Sequence, residues 1–235
     1  MSTSIDPNAP GAYLEALARG ASHDVNNVFA LILSMSEIAL LDSDLPSQAH
    51  YSLEKIIKYI ERGRNITEAV SEYGNSFRHN LKEVDMHIFM LRFESLLLTL
   101  LPKEQKLQVN ISPEVKTITV DENLLSRALM NVCRNAIEAL QDSTLDDKKI
   151  FIEVQRLVEE KIEIAVIDNG PGIAPELQEK IFVPFFTTRN GSQFTGMGLT
   201  CAQQIMFVHS GELLVESPDS HQGTIIRLRF PTKTV

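Results

Sequence analysis

The stretch IFIEVQRLVEEKIEIAVIDNGPG, residues 150–172, carries the clearest indication of the fold. Apolar and polar residues alternate on both sides of a Glu-Glu-Lys turn, a pattern typical of two antiparallel strands. The second strand ends at Asp168, and the following Gly170 and Gly172 flank a proline. Glycines at a strand end let the backbone approach a ligand closely, although such turns are common and do not define a site by themselves.

The patterns on either side of this hairpin predict an α+β segment. Upstream, the sequence predicts a helix over 86–100, strands over 106–111 and 115–120, and a helix from Asp121 to Gln141, with Asp121 as its N-cap. Downstream, it predicts a helix near 198–209 and strands over 211–217 and 224–230. Together these elements indicate helices packed on one face of a mixed or antiparallel sheet, an α+β two-layer sandwich.

Two long amphipathic helices are predicted before this segment. From Tyr13 to Leu41 apolar residues recur at steps of three and four, the seam of a bundle helix: Leu14, Leu17, Ala21, Val25, Val28, Ile32, Met35 and Ala39. Turn-forming residues at 42–48 precede a second helix whose seam is Leu53, Ile56, Ile60, Gly63, Thr67, Val70 and Phe77. Such an antiparallel hairpin leaves apolar surface bare, so we expect a homodimer that completes a four-helix bundle through residues 12–80.

The composition of the 235-residue chain excludes several classes of protein. Its hydrophobic content of 43% can fill a core, and its net charge of −9 argues against nucleic acid or an anionic membrane as a partner. Cys133 and Cys201 lie far apart and are expected to be buried, reduced thiols. With no leader pattern and no stretch apolar enough to span a membrane, we expect a cytoplasmic chain without direct membrane contact, either whole or the soluble part of something longer. Residues 1–11 are expected to be a flexible tail.

Three further motifs are candidates for ligand binding. Asn131 and Asn135, in NVCRNAIEAL, stand four apart and so share one face of their helix. Gly196 and Gly198, in GMGLTCAQQI, open a helix where free backbone N–H groups favour a phosphate. The segment 173–195 has the Pro, Gly, Thr and Phe content of a mobile lid. Each motif is common by itself.

In their order along the chain, these motifs resemble those of the sensor histidine kinases. Asn131 to Asn135 resembles the N box, DNGPG the first glycine box, FVPFFTTR the phenylalanine box, GMGL the second glycine box, and Gly223-Thr224 the last. SHDVNN at 22–27 then resembles the phosphoacceptor box of the dimerisation and histidine-phosphotransfer helix. The resemblance covers about residues 12–232. It implies a helical hairpin over 12–80 and a catalytic ATP-binding domain of the Bergerat type over 81–235.

The resemblance also implies a site for ATP and Mg²⁺. Asp168 would accept a hydrogen bond from the adenine amino group, and Asn135 would hold Mg²⁺ through its side-chain oxygen. Arg134 would contact phosphates, and Arg189 stands where many relatives have a lysine that faces the γ-phosphate. The other nucleotide-binding positions implied are Asn131, Gly170, Gly172, Gly196, Gly198, Leu199 and Thr224.

Asn131 bears on the type of reaction. The hydrolytic members of the superfamily, the gyrase and mismatch-repair ATPases, have a glutamate there that activates water. Asparagine cannot act as a general base, so the resemblance implies transfer of the γ-phosphate to a side chain rather than to water. Positioning by Mg²⁺, the glycine-loop amides and a closing lid would suffice for such a transfer.

His23 would be the acceptor of this phosphate. It lies two residues from both Ala21 and Val25 of the seam, so it projects to the opposite, solvent-facing side of the helix. Asp24 would hydrogen-bond one ring nitrogen and stabilise the developing imidazolium. Asn27 lies one turn after His23 on the same face, where the family can use a polar residue to orient water, and this implies phosphatase activity toward a response regulator.

The acceptor motif departs from the commonest family pattern. Many relatives have Glu and Pro where this chain has Asp24 and Val28, so the proline kink is absent. The chain instead resembles a minority class with His-Asp-x-Asn-Asn.

The main interpretation is therefore an autophosphorylating histidine kinase of a two-component system. It would pass phosphate from His23 to an aspartate in the receiver domain of a separate response regulator, and a separate sensor stays open as a further partner. One alternative is a phosphotransfer module that no longer binds ATP, against which Asn135, Asp168 and the glycines weigh. Another is an ATP-driven clamp or serine kinase of the same superfamily, which would not need the acceptor helix and whose hydrolytic branch would have Glu at position 131.

Overall fold

The computed structural model describes residues 10–42, 45–75, 80–141, 143–189, 194–217 and 223–232. The chain divides into two compact units, one of residues 1–78 and 184–197 and the other of residues 79–183 and 198–235. Parts of four predicted segments lie outside the described residues, namely 1–9 of the tail, 43–44 of the turn, 76–79 with Phe77 of the second helix seam, and 190–193 of the lid.

The first unit contains the two long helices that the sequence predicts, α1 (Pro10–Leu40) and α2 (Ser47–Asn75). On α2, the inward residues include Ile60, Gly63 and Thr67, as expected. The ring of Phe29 in α1 lies against Gly63, where a Cβ atom would collide with it. Ser22 donates a hydrogen bond from Oγ to the Thr67 carbonyl over 3.0 Å. Small and polar residues thus let the two helices approach closely.

The face of α1 that contacts α2 is not the predicted bundle seam, which lies on another side of the helix. Val25, Val28, Ile32 and Met35 remain exposed in the single chain, Val28 by 54% and Met35 by 71%. They lie roughly 100° around the helix axis from the stripe that begins at Ser22. Apolar periodicity identifies a stripe of side chains that favours burial. It does not show whether the same chain or a second chain buries this stripe.

The second unit contains the remaining elements. In chain order they are β1 (Lys82–Asp85), α3 (Met86–Leu100), β2 (Gln105–Ile111), β3 (Thr117–Val120), α4 (Glu122–Gln141), β4 (Lys148–Leu157), β5 (Lys161–Asp168), α5 (Gly198–Val208), β6 (Glu212–Glu216) and β7 (Thr224–Pro231). Short 3₁₀ turns lie at Val158–Glu160, Pro175–Leu177 and Lys180–Phe182. The sequence reading missed β1, which has a single buried residue, Val84, and pairs antiparallel with β3.

A five-stranded mixed sheet supports this unit, in the order β2-β4-β5-β7-β6. Only the β2–β4 pair is parallel; the other three pairs are antiparallel. Alternate residues of the strands point to one face, where they form the core with the apolar faces of α3, α4 and α5: Ile150, Ile152, Val154, Ile162, Ile164, Val166, Ile226, Leu228 and Phe230. The predicted α+β sandwich is therefore confirmed.

The opposite face of the sheet carries a buried carboxylate, Glu163, of which only 1% is exposed. Burial opposes ionisation of Glu163, but hydrogen bonds from Arg229 and Gln155 and the charge of Arg227 outweigh it and lower the pKa of this group. Arg229 Nε lies 2.6 Å from Glu163 Oε2, and Arg227 Nη1 lies 2.9 Å from Oε1. Arg227 also bridges to Glu216. This network ties β5 to β7 and β6.

One buried histidine links the end of α5 to the start of α4. His209 Nε2 accepts a hydrogen bond from the Asp121 amide over 3.0 Å, and its Nδ1 lies 2.7 Å from the Ile205 carbonyl. The buried ring is thus neutral, with its proton on Nδ1. Asp121 in turn caps α4, as predicted, by accepting from the amides of Asn123 and Leu124. The end of α5 is therefore fixed to the start of α4.

Among the described residues, no helix combines the length and the apolar character needed to cross a membrane. Both cysteines are buried thiols outside any disulfide, as expected, and burial raises the pKa of the Cys133 thiol.

Candidate active site

Asp168 lies at the end of the central strand of the sheet. In β5 it stands between Ile150 of β4 and Thr224 of β7, which pair with it on either side. Only 6% of Asp168 is exposed, and Thr224 is buried as well. The Asp168 carboxylate accepts a hydrogen bond from the Gly170 amide over 2.9 Å through Oδ1. An acceptor is thus held at the point where the strand gives way to the glycine turn.

The glycine turn is fixed on the β7 side by backbone contacts. The Gly223 amide donates to the Gly170 carbonyl over 2.7 Å. Gly172 and Gly223 have φ values of +78° and +96°, which favour glycine, and a Cβ atom on Gly223 would collide with the Asp168 carbonyl. These glycines are therefore required by conformation as well as by the space around them.

On the β4 side the turn is held by Asn169, a residue that the sequence reading did not single out. Its Oδ1 accepts from the Lys149 amide and its Nδ2 donates to the Asp147 carbonyl, each over 2.7 Å. Hydrogen bonds from Lys106 and Lys149 lower the pKa of the Asp147 carboxyl. The sequence offers one signal for this role, an asparagine directly after the aspartate that ends a strand. The side-chain amide of such an asparagine can form the backbone hydrogen bonds that a further strand residue would form.

Helix α4 borders the turn and the start of α5. A Cβ atom on Gly170 would lie 3.6 Å from Ala139, and one on Gly198 would lie 3.9 Å from Asn131. Asn135 lies on the same face of α4, one turn from each of these two positions. Both asparagines are half-buried, whereas Arg134 is exposed. The second unit thus brings Asn131, Asn135, Asp168, Gly170, Gly172, Gly198 and Thr224 to one region, with Leu199 buried in the core behind it.

Arg189 and Gly196 belong to the segment 184–197, which is part of the first unit. The Phe185 amide donates a hydrogen bond to the Gly196 carbonyl over 3.0 Å and so joins the two ends of this segment. A Cβ atom on Gly196 would lie only 2.5 Å from the Phe185 carbonyl carbon, and Gly196 has a φ of +66°. The Arg189 guanidinium lies 5.7 Å from the ring centre of Phe194. Arg189 is thus half-buried on an aromatic face of its own segment.

His23 projects from α1 into solvent, as expected, with 74% of its side chain exposed. Its Nδ1 atom lies 3.3 Å from Asp24 Oδ1 and 3.3 Å from Asn27 Nδ2. Within the described part of the chain, no hydrogen bond is made by Nε2. When the Asp24 carboxylate accepts a hydrogen bond from Nδ1–H, a flipped Asn27 amide presents its oxygen to the same N–H, and the lone pair lies on Nε2, the atom that faces away from the helix. The geometry suits a nucleophile that acts through Nε2.

Comparisons with known proteins agree with this arrangement. Residues 120–234 match the family "Histidine kinase-, DNA gyrase B-, and HSP90-like ATPase". The signal transduction histidine-protein kinase AtoS of Escherichia coli (strain K12) is 29% identical over 216 residues, 91% of this chain and 34% of AtoS. The sensory histidine kinase/phosphatase NtrB of Klebsiella oxytoca is 29% identical over 212 residues, 87% of this chain and 59% of NtrB.

A solved structure matches in fold. The histidine kinase ThkA, in complex with the response regulator protein TrrA, has a TM-score of 0.63 and 24% identity, and the match covers 93% of this chain and 61% of that one.

Residues 120–234 thus form an ATP-binding domain of the histidine kinase-, gyrase- and HSP90-like ATPases. Alignments with histidine kinases cover most of the chain, and they support the catalytic core of a sensor histidine kinase. It spans 34% of AtoS and 59% of NtrB, so these relatives are considerably longer. The assignment to a His-Asp-x-Asn-Asn class stays a prediction.

Proposed function

We propose that the chain transfers the γ-phosphate of ATP to His23 and then passes it to an aspartate in the receiver domain of a separate response regulator. The observation that carries this proposal is the exposed His23, contacted by Asp24 and Asn27 only at Nδ1, in a chain that also contains the ATPase-family domain. Histidine kinases that match along most of the chain support the same reaction.

The acceptor residues have defined tasks in this transfer. His23 Nε2 attacks the γ-phosphorus, the bond from that phosphorus to the β,γ-bridging oxygen breaks, and ADP leaves. The Nδ1 proton stays on the ring, where the Asp24 carboxylate at 3.3 Å stabilises the positive charge that develops. Asp24 therefore orients the ring and balances its charge without taking the proton.

The residues of the second unit fit a nucleotide. The buried Asp168 carboxylate accepts but does not donate, which suits the adenine amino group. Gly170 leaves space beside it, since a Cβ atom there would lie 2.8 Å from Asp168 Oδ1. Gly198 begins α5 beside Asn131, where helix N–H groups can receive phosphates, and exposed Arg134 adds positive charge. Gly196 and Arg189, in the segment 184–197, stay predicted nucleotide contacts.

The residues also fit Mg²⁺ held mainly by the nucleotide. Among the described residues no group of three or more His, Cys, Asp and Glu side chains could hold a metal ion. A half-buried amide such as Asn135 provides one hard oxygen ligand, and phosphate oxygens and water provide the others. When bound, Mg²⁺ would neutralise phosphate charge during transfer. Asn131 cannot activate water, which favours transfer to His23 over hydrolysis.

The exposed seam of α1 supports a homodimer through residues 12–80. Val25, Val28, Ile32 and Met35 form an apolar stripe that the same chain does not cover. A second hairpin would bury it in a four-helix bundle. We expect the substitution Met35→Asp to yield monomers in sedimentation experiments while nucleotide binding is unchanged. A dimer of unchanged stability would contradict this part of the proposal.

Asn27 supports a second activity at the same site. Its side chain lies one turn from His23 on the exposed face, where it could orient water against a phosphorylated aspartate. The relative NtrB is named a kinase/phosphatase, and ThkA was solved with a response regulator. We expect Asn27→Ala to slow dephosphorylation of the regulator more than it slows labelling of His23.

Incubation of the full chain with Mg²⁺ and γ-labelled ATP tests the proposed transfer. The wild type should acquire an acid-labile, base-stable label that His23→Ala abolishes. His50→Ala is a matched control, because His50 is also an exposed helical histidine beside an acid, with Nδ1 3.7 Å from Glu54 Oε1. Asp168→Asn and Asn135→Ala should abolish both labelling and nucleotide binding. Label that survives His23→Ala would overturn the proposal.

A further inference from the structure

A single residue of α2, Thr67, contacts one α1 residue before His23 and one after it, both on the inner face of α1. Ser22 directly precedes His23 and donates from Oγ to the Thr67 carbonyl over 3.0 Å. Asn26 follows His23 by three residues, and its Oδ1 lies 2.7 Å from Thr67 Oγ1. Ser22 is 6% exposed and Asn26 is half-buried. The helical turn that carries His23 is thus hydrogen-bonded to Thr67 of α2 on both sides of the histidine.

The Thr67 hydroxyl has one proton and three acceptors within reach. They are Asn26 Oδ1 at 2.7 Å, the Arg64 carbonyl at 2.8 Å and the Gly63 carbonyl at 3.2 Å. The hydroxyl donates either to Asn26, or to its own helix while it accepts from a flipped Asn26 amide. The hydrogen bond between the Thr67 and Asn26 side chains persists in both arrangements. A valine at position 67 removes this hydrogen bond in both and leaves the one from Ser22 to the backbone carbonyl of residue 67.

We propose that Thr67 is a positioning residue that fixes the rotation of α1 at the phosphoacceptor turn, an inference that rests on the proposed role of His23. Side-chain tips lie about 5–6 Å from a helix axis, so a rotation of roughly 10° moves the imidazole by about 1 Å. A misplacement of this size can cost a transfer reaction about 100-fold in rate. Rotation of α1 against α2 has to break the Ser22 and Asn26 contacts together.

Helix α1 contains a matched control for this role. Ser36 is buried to the same degree as Ser22, at 5% exposed, but its Oγ donates over 2.8 Å to Ile32 in its own helix. Ser22→Ala and Ser36→Ala therefore remove the same hydroxyl from the same helix. The hydrogen bond removed from Ser22 joins α1 to α2, whereas the one removed from Ser36 stays within α1.

The experiment compares Thr67→Val, Thr67→Ser, Ser22→Ala and Ser36→Ala in the full chain. The kcat of His23 labelling and the KM for ATP are measured, and so is labelling of His23 by phosphoramidate, a small donor that needs no nucleotide. We expect Thr67→Val and Ser22→Ala to lower kcat about tenfold or more while the KM for ATP stays within about twofold. Thr67→Ser and Ser36→Ala should behave as the wild type, and phosphoramidate labelling should be equal in all variants.

Several outcomes would overturn the positioning role. They are an unchanged kcat in Thr67→Val, equal losses in Ser22→Ala and Ser36→Ala, or a parallel loss of phosphoramidate labelling, which would mean that His23 itself has become unreactive. If Thr67→Val does not fold, Ser22→Ala decides, because it leaves α2 intact. A wild-type chain without label on His23 would instead overturn the proposed function and this inference with it.

Discussion

Replacement of Asn169 tests whether the turn after Asp168 is organised before nucleotide binds. Asn169→Ala removes two side-chain hydrogen bonds of 2.7 Å, to the Lys149 amide and the Asp147 carbonyl. Each such bond contributes about 0.5–1.5 kcal/mol, and water can replace part of it at this half-buried position. We therefore expect a loss of about 1–2 kcal/mol in the free energy of unfolding of the second unit. Asn169→Asp keeps the acceptor but sets a carboxylate oxygen against the Asp147 carbonyl, so its loss should be at least as large.

The same substitution should weaken nucleotide binding because it frees the turn that carries the Asp168 carboxylate. If ordering this turn then costs about 1.4 kcal/mol of the binding free energy of ATP, the Kd for ATP rises about tenfold. Titration calorimetry compares ATP with inosine triphosphate, which lacks the adenine amino group. The comparison distinguishes a misoriented Asp168 carboxylate, which lowers the preference for ATP, from a general loss of order, which weakens the binding of both nucleotides. We expect the preference for ATP to shrink in Asn169→Ala and to persist in Asn110→Ala, which removes an exposed asparagine of β2. A lower unfolding temperature with unchanged Kd and unchanged ATP preference would contradict a role of Asn169 in positioning Asp168.

Three further substitutions test other parts of the fold. Gly223→Ala forces a Cβ atom onto the Asp168 carbonyl at a positive φ, so nucleotide titration should show strongly reduced binding; normal binding would contradict the turn geometry. The folded-state pKa of Glu163 is lowered, so its stabilisation is present above the unfolded-state pKa of about 4.3 and is lost as the pH falls further. Glu163→Gln should therefore lower stability at pH 7 by about 1–3 kcal/mol and flatten the acid limb of unfolding curves, and an unchanged acid limb would exclude this role. Gly63→Ala sets a methyl group against the Phe29 ring and should destabilise the hairpin by about 1–3 kcal/mol in thermal unfolding, with nucleotide binding as the unaffected control.

Regular elements with strong local patterns could be predicted from the sequence. The predicted helix 86–100 coincides with α3, and the cap at Asp121 is made as expected. The β4–β5 hairpin likewise follows from its alternating residues. These features depend on neighbours along the chain, such as a side chain and the backbone two or three residues later. Local physical chemistry is sufficient for them.

Features that depend on long-range pairing could not be predicted in this way. Ser22 and Asn26 resemble a solvated face in sequence, yet their hydrogen bonds join α1 to α2 across more than 40 residues. Asn169 gains its role only because β4 brings the Asp147 and Lys149 backbone beside it. A polar residue carries no sequence signal for a hydrogen-bond partner far along the chain, whereas an apolar stripe at least indicates a surface that favours burial. The predicted nucleotide-site positions rest on the family resemblance rather than on such pairing.

The outward-facing apolar seam of α1 has a consequence for how the stability of the hairpin is measured. In the proposed dimer, much of the apolar burial of the hairpin comes from the association of two chains. Folding of the hairpin is then coupled to dimer formation, so the melting temperature of the hairpin rises with protein concentration. The second unit has its own core, so its melting temperature should be independent of concentration. A dilution series would therefore separate two transitions that overlap at any single concentration.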